Sequence, residues 1–218
     1  MQKLRKILIG SALISLSVFV LGVYYPLANK NSEVEKDYSL ESLTLTTNSK
    51  VPKKFSESAW GNVGSGGYQA AAQWMAANNT KSRKLDDWQK YYLRPHFDDL
   101  VDQVEVIYNA TLPDEWVAAS FRVDVSKSNA QVYGNKIYIS GPYKPRDDRQ
   151  LILLAHELVH VRQYQELGSL DKFGYQYFKE YERAGQVYKN NRMEQEAFKF
   201  ERIFALWLIE QRSRYPQE

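Results

Sequence analysis

The chain runs to 218 residues with 29 Lys and Arg against 26 Asp and Glu, and it has no cysteine. Lys3, Arg5 and Lys6 fall in a first stretch of twenty-five residues that carries no acid, and without them the counts are 26 and 26. The pI near 8.8 therefore belongs to the N-terminal segment and gives no support to nucleic-acid binding, and the missing cysteines exclude a thiol nucleophile, a thiolate metal site and a disulfide framework.

After the three basic residues an apolar run extends from Ile7 to Tyr25, and the chain turns polar at Asn29. At about nineteen residues the run is longer than a signal-peptide core and close to the roughly twenty that span a bilayer. Residues 1–28 are expected to act as a membrane anchor. Cleavage after Ala28 is the alternative, although Pro26 suits the −3 position poorly. The basic flank predicts an inward N-terminus and an extracytoplasmic body. Residues 29–67, polar and ending in Gly64-Ser65-Gly66-Gly67, read as a spacer in which Leu40, Leu43 and Leu45 could form a short strand. Residues 68–218 are one domain's worth of chain.

Within that domain, Tyr68 to Ala77 and Asp86 to Leu93 have helical spacing, and Pro95 to Val101 suggests a short helix opened by its proline. Val104 to Tyr108 alternates as a strand. Gln131-Val132-Tyr133 and Lys136-Ile137-Tyr138-Ile139, joined by Gly134-Asn135, predict a hairpin. Asp147 and Asp148 offer caps to a helix that ends at Gly168, with Leu151, Leu153, Leu154, Leu158 and Val161 facing inward. Phe173, Tyr177 and Tyr181 make a helical stripe in a tyrosine-rich segment, and Met193, Ala197, Phe200, Phe204 and Trp207 make another near the C-terminus. Many helices with a small sheet give an α+β domain.

The chemistry is concentrated in His156-Glu157-Leu158-Val159-His160, which holds two of the chain's three histidines. On a helix, residues four apart share a face, so both imidazoles can reach one metal ion. Glu157, beside them, could take a proton from a water that zinc has made acidic and return it to a leaving amine. A catalytic zinc usually has three protein ligands. With no cysteine, and with His96 upstream next to Pro95, a carboxylate is the favoured third. Glu196 lies nearer the centre of the last apolar stripe than Glu194, so it is the expected ligand; Glu194 is the substitute, or a group that orients a histidine ring. Gln163 falls on the histidine face and either lines the site or packs against the tyrosine-rich segment. That segment and Tyr188 could supply an oxyanion donor, with no single tyrosine preferred.

Leu154-Ala155-His156-Glu157-Leu158-Val159-His160-Val161-Arg162-Gln163, the aromatic tract after it, and Glu194-Gln195-Glu196-Ala197 resemble bacterial zinc metallopeptidase domains with an AHELxHVxQ helix. These include the peptidase-like domain associated with extracellular contractile injection systems. The resemblance spans about 90 to 210. It implies a zincin-like fold of the gluzincin type, with Zn2+ held by the two histidines and a downstream glutamate. It also implies a peptide or protein substrate, which in such folds commonly pairs as an added strand beside the metal; the hairpin is the candidate edge. Related domains often read Asn-Pro where this chain has Asn191-Arg192. The expectation is a membrane-anchored zinc peptidase. The alternative is a zinc-binding, non-catalytic envelope or secretion-associated interaction domain.

Overall fold

Asp147 opens the helix that carries the histidine pair: its side chain accepts from the backbone N–H of Gln150 at 2.7 Å. In the computed structural model, which describes residues 56–112 and 129–214, that helix runs Asp148–Leu167 and stops at Gly168, whose φ of 87° is the left-handed cap cheapest for glycine. Both ends lie where the sequence puts them. Leu151, Leu154, Leu158 and Val161 are fully buried, while Leu153 is half-buried.

The described elements are α1 (Glu57–Asn78), α2 (Asp87–Phe97), α3 (Leu100–Gln103), β1 (Glu105–Tyr108), β2 (Ala130–Tyr133), β3 (Lys136–Ile139), α4 (Asp148–Leu167), α5 (Leu170–Arg183), a 3-10 turn (Tyr188–Asn190) and α6 (Arg192–Arg214). The fold is α+β. The sheet order is β1-β3-β2, with β3 parallel to β1 and antiparallel to β2. Gly134, at φ 64°, makes the turn between β2 and β3. The outer side of β1 is closed by Arg83, which exchanges both backbone hydrogen bonds with Val106 at 2.9 and 2.8 Å. One apolar core joins α2, α3, the sheet, α4 and α6 through Leu93, Val101, Val106, Ile137, Leu154, Leu158 and Phe204.

Two expectations are corrected. The helix expected from Tyr68 begins at Glu57, so residues 57–67, including the glycines of the expected spacer, are helical. Gly61 and Gly64 among them let α1 and α5 touch. A Cβ at Gly61 would meet the Tyr175 ring at 2.7 Å, one at Gly64 would run into Phe178, and one at Gly174 would meet Tyr68 at 2.6 Å. Secondly, Pro95 does not open a helix. It lies in the last turn of α2, which starts from an Asp86–Gln89 capping box and ends at Phe97, where Asp98 turns to φ 45°. His96 consequently packs edge-on against Trp207, with ring centroids 4.5 Å apart, and belongs to an aromatic cluster away from the histidine pair.

The expected anchor, most of the spacer and the strand suggested around Leu40 to Leu45 lie outside the described residues. Among the described residues no helix is long and apolar enough to cross a membrane.

Candidate metal centre

His156 and His160 project from one face of α4 with ring centroids 5.1 Å apart. Opposite them stands Glu194, in the first turn of α6. Its Oε2 lies 3.5 Å from His156 Nε2 and 3.4 Å from His160 Nε2. One ligand atom from each of the three residues falls within 4.8 Å of the others, and all three side chains are buried.

The outer nitrogens decide the state of the inner ones. His156 Nδ1 lies 2.8 Å from Glu201 Oε2, a carboxylate that can only accept, so Nδ1 carries the proton. His160 Nδ1 lies 2.9 Å from Gln163 Oε1. The Gln163 amide is oriented by its other end, because Nε2 donates to the Met193 carbonyl at 3.1 Å and to Glu196 Oε2 at 3.0 Å, both pure acceptors. His160 Nδ1 is therefore a donor as well. With each proton placed outside, both neutral rings turn an Nε2 lone pair toward Glu194 Oε2.

Glu194 is held from behind by phenols. Tyr177 donates to its Oε1 at 2.8 Å, and Tyr188 donates to the same carboxylate. Oε2 is buried with no hydrogen-bond donor at all. Three acceptor atoms thus converge on one point, which is what a cation needs and what a hydrogen-bonded core avoids. The two imidazoles and one carboxylate could hold a metal ion, and the donor set is compatible with zinc. Without a metal, a proton has to serve. Burial disfavours a charged His160, but the Glu194 carboxylate outweighs it and lifts the ring to about 9. Burial likewise opposes a charged Glu194, and the His160 charge with the hydrogen bonds from His156, His160 and Tyr188 drives its carboxyl well below the ordinary range.

Glu157 is buried one residue from His156. Burial holds its carboxyl above the usual carboxylate range, partly offset by the His160 and His156 charges and reinforced by Glu194 and Glu201. Phe198 packs on the His156 ring at 4.8 Å and Tyr188 packs on Phe198 at 6.0 Å, giving the site an aromatic wall.

The structure brings His156, Glu157 and His160 together and leaves Glu196 outside. The Glu196 side chain is 55% exposed, against 3% for Glu194, and spends itself on Gln163 and on Arg162. The reason lies in the stripe used to choose between them. The buried line of α6 is Met193, Glu194, Ala197, Phe204 and Leu208; Phe200 and Trp207 are only partly buried and flank His96 and Phe97. Weighting those two rings as central displaces the inward direction toward Glu196. Taking Leu208 instead, the positions Glu194, Ala197, Glu201, Phe204 and Leu208 recur at helical spacing and point to both glutamates that meet the histidine pair. Glu201 had no other signal in the sequence. Gln163, read as either lining or packing, is a buried support for His160.

Residues 89–168 match the family described as the eCIS core domain. The match runs from α2 to the end of α4, so it takes in the histidine pair and Glu157, while Glu194 and Glu201 lie beyond it. It supports the link to the peptidase-like domain associated with contractile injection systems. Among curated proteins and among solved structures, none matches the chain.

Proposed function

We propose that this domain is a zinc-dependent peptidase in which His156, His160 and Glu194 hold the metal and Glu157 moves the proton. The observation that carries the reading is Glu194 Oε2, a buried acceptor without a donor, facing two histidine nitrogens that are themselves acceptors. Zinc in that place would acidify water and polarise the scissile carbonyl. The chain's own residues supply the rest. Glu201 and Gln163 keep both rings in the tautomer that presents Nε2, and Tyr177 and Tyr188 hold the carboxylate in place. Glu157, with its raised pKa, is suited to accept a proton from water and pass it to the departing amine. The match to the eCIS core domain supports the peptidase-like reading of residues 89–168. Extracytoplasmic placement on a membrane anchor belongs to the same proposal and rests on Lys3, Arg5, Lys6 and the run from Ile7 to Tyr25.

The test is elemental analysis and casein hydrolysis with the purified full chain. About one zinc per chain is expected, kept by Glu157→Gln and Glu196→Gln and lost by Glu194→Gln, with turnover abolished by Glu157→Gln. Zinc retained by Glu194→Gln would overturn the ligand set. Hydrolysis retained by Glu157→Gln would remove that residue from the reaction. Zinc without turnover in the parent chain would favour the non-catalytic interaction domain.

A further inference from the structure

α6 turns its two sides to different surroundings. Its buried line of Met193, Glu194, Ala197, Phe204 and Leu208 meets the histidine pair and the core. On the opposite side Ile203 and Ile209 are more than half exposed, and Leu206, at 70%, is the most exposed large apolar side chain among the described residues. At three-residue spacing the three fall within an arc of about 120°, so they form one stripe. The apolar surface continues onto α2. Trp207, one turn from Ile203, shares a depression with Pro95, Gln211 and the exposed ring of Tyr91.

The uncompensated charge beside the stripe has one sign. Lys199 and Arg202, at its N-terminal end, are exposed and make no ion pair among the described residues. The acids of the same side are spent: Glu210 pairs with Arg214, and Glu196 takes the Gln163 amide and Arg162. An apolar stripe edged by unpaired cations is complementary to anionic headgroups over acyl chains. Lys3, Arg5, Lys6 and the run from Ile7 to Tyr25 form a segment expected to hold the same chain at a bilayer.

We propose that α6 lies on an anionic lipid surface through Ile203, Leu206 and Ile209, with Lys199 and Arg202 at the headgroups. The inference rests on the membrane anchor of the functional reading, which keeps the body within reach of a bilayer, and it adds a second contact that fixes which side faces the lipid. The three side chains sink into the boundary between headgroups and acyl chains, about 5–10 Å deep. Because the buried line of α6 points the other way, the metal centre lies on the side of the helix turned from the lipid.

The chain has no cysteine, so Leu206→Cys gives the full chain a single thiol for a nitrobenzoxadiazole dye. The labelled protein is reconstituted into vesicles of phosphatidylglycerol with phosphatidylcholine, or of phosphatidylcholine alone. In the anionic vesicles the emission is expected to shift to the blue and to be quenched by spin-labelled lipid, while a dye on Ala70→Cys, at an exposed position of α1, stays aqueous. Lys199→Gln with Arg202→Gln is expected to lower the docked-to-free ratio about 30-fold, roughly five-fold for each basic residue lost near an anionic surface. A dye at position 206 as aqueous as the one at position 70, in protein that floats with the vesicles, overturns the docking and leaves the anchor. High salt that strips the protein from the vesicles and abolishes the shift keeps the docking and sinks the anchor. A thiol at position 206 that links two copies equally fast in both kinds of vesicle, with no lipid quenching, gives the face to a second copy and overturns the proposal. A dye shielded in a monomer without lipid quenching overturns it likewise.

Discussion

Glu201 and His156 lie 45 positions apart in the chain and 2.8 Å apart in space, and the carboxylate takes the Nδ1 proton of the ring. That hydrogen bond sets which nitrogen faces Glu194. Removing the acceptor frees the ring to rotate and to exchange tautomers. Glu201→Ala is therefore expected to weaken zinc binding about 10- to 100-fold, and Glu201→Gln less, because its amide oxygen can still accept. Competition against a chromophoric chelator measures it. Equal affinity in the alanine variant would show that packing against Phe198 alone holds the ring.

Metal removal should cost stability, since it leaves Glu194 Oε2 and two imidazole lone pairs facing one another. At free zinc about 100 times its dissociation constant, linkage adds about 2.7 kcal/mol to the folded state. For a domain of this size that corresponds to a melting temperature higher by about 5–10 °C. Calorimetry with zinc and with a chelator should show that difference in the parent chain, and no difference in His156→Ala.

Two glycines in one helix should respond in opposite directions. A methyl at Gly64 has no room against Phe178, so Gly64→Ala is expected to cost about 1–3 kcal/mol by forcing α1 from α5. At Gly66 nothing lies within 4 Å, and Gly66→Ala is expected to gain about 0.5–1 kcal/mol from helix propensity. Urea unfolding of the two variants beside the parent checks both signs. Matching effects would mean that the helix contact contributes nothing.

Asp102 tests the surface electrostatics of α2 and α3. Hydrogen bonds from Arg94 and then Lys90, at 2.8–3.0 Å, hold its carboxyl at about 2. A folded pKa below the unfolded value of about 3.9 means that its contribution is present above that value and is lost as pH falls toward about 2. The stability gap between the parent and Asp102→Asn should be flat from neutral pH to about pH 5 and close below about pH 4. Because the groups are exposed the gap is small, and high salt should narrow it. A gap that widens on acidification would contradict the assigned partners.

Much of the site was legible because local signals and chemical need coincide on α4. Asp147, the uninterrupted run and Gly168 delimit one helix, and its histidines fall four apart on it. The hairpin was legible for a similar reason, since Gly134 lies between two short alternating runs. The third carboxylate was not. Choosing it requires the direction in which α6 meets α4, and the large rings of Phe200 and Trp207 misreport that direction because they serve the His96 cluster at the side. The start of α1 was hidden by composition: Gly64-Ser65-Gly66-Gly67 read as a spacer, and the reason for a glycine at position 64 shows only when Phe178 of α5 stands against it. His96 was misplaced because a proline can sit in the last turn of a helix as well as the first.

With both backbone groups of Val106 spent on Arg83, the β1 side of the sheet has no rung at that position for another molecule's strand. A three-stranded sheet is a small template, and unprotected edges of such templates are where copies of a protein zip together into aggregates. Here a single residue from the segment between α1 and α2 blunts that flank against strand addition by a second copy.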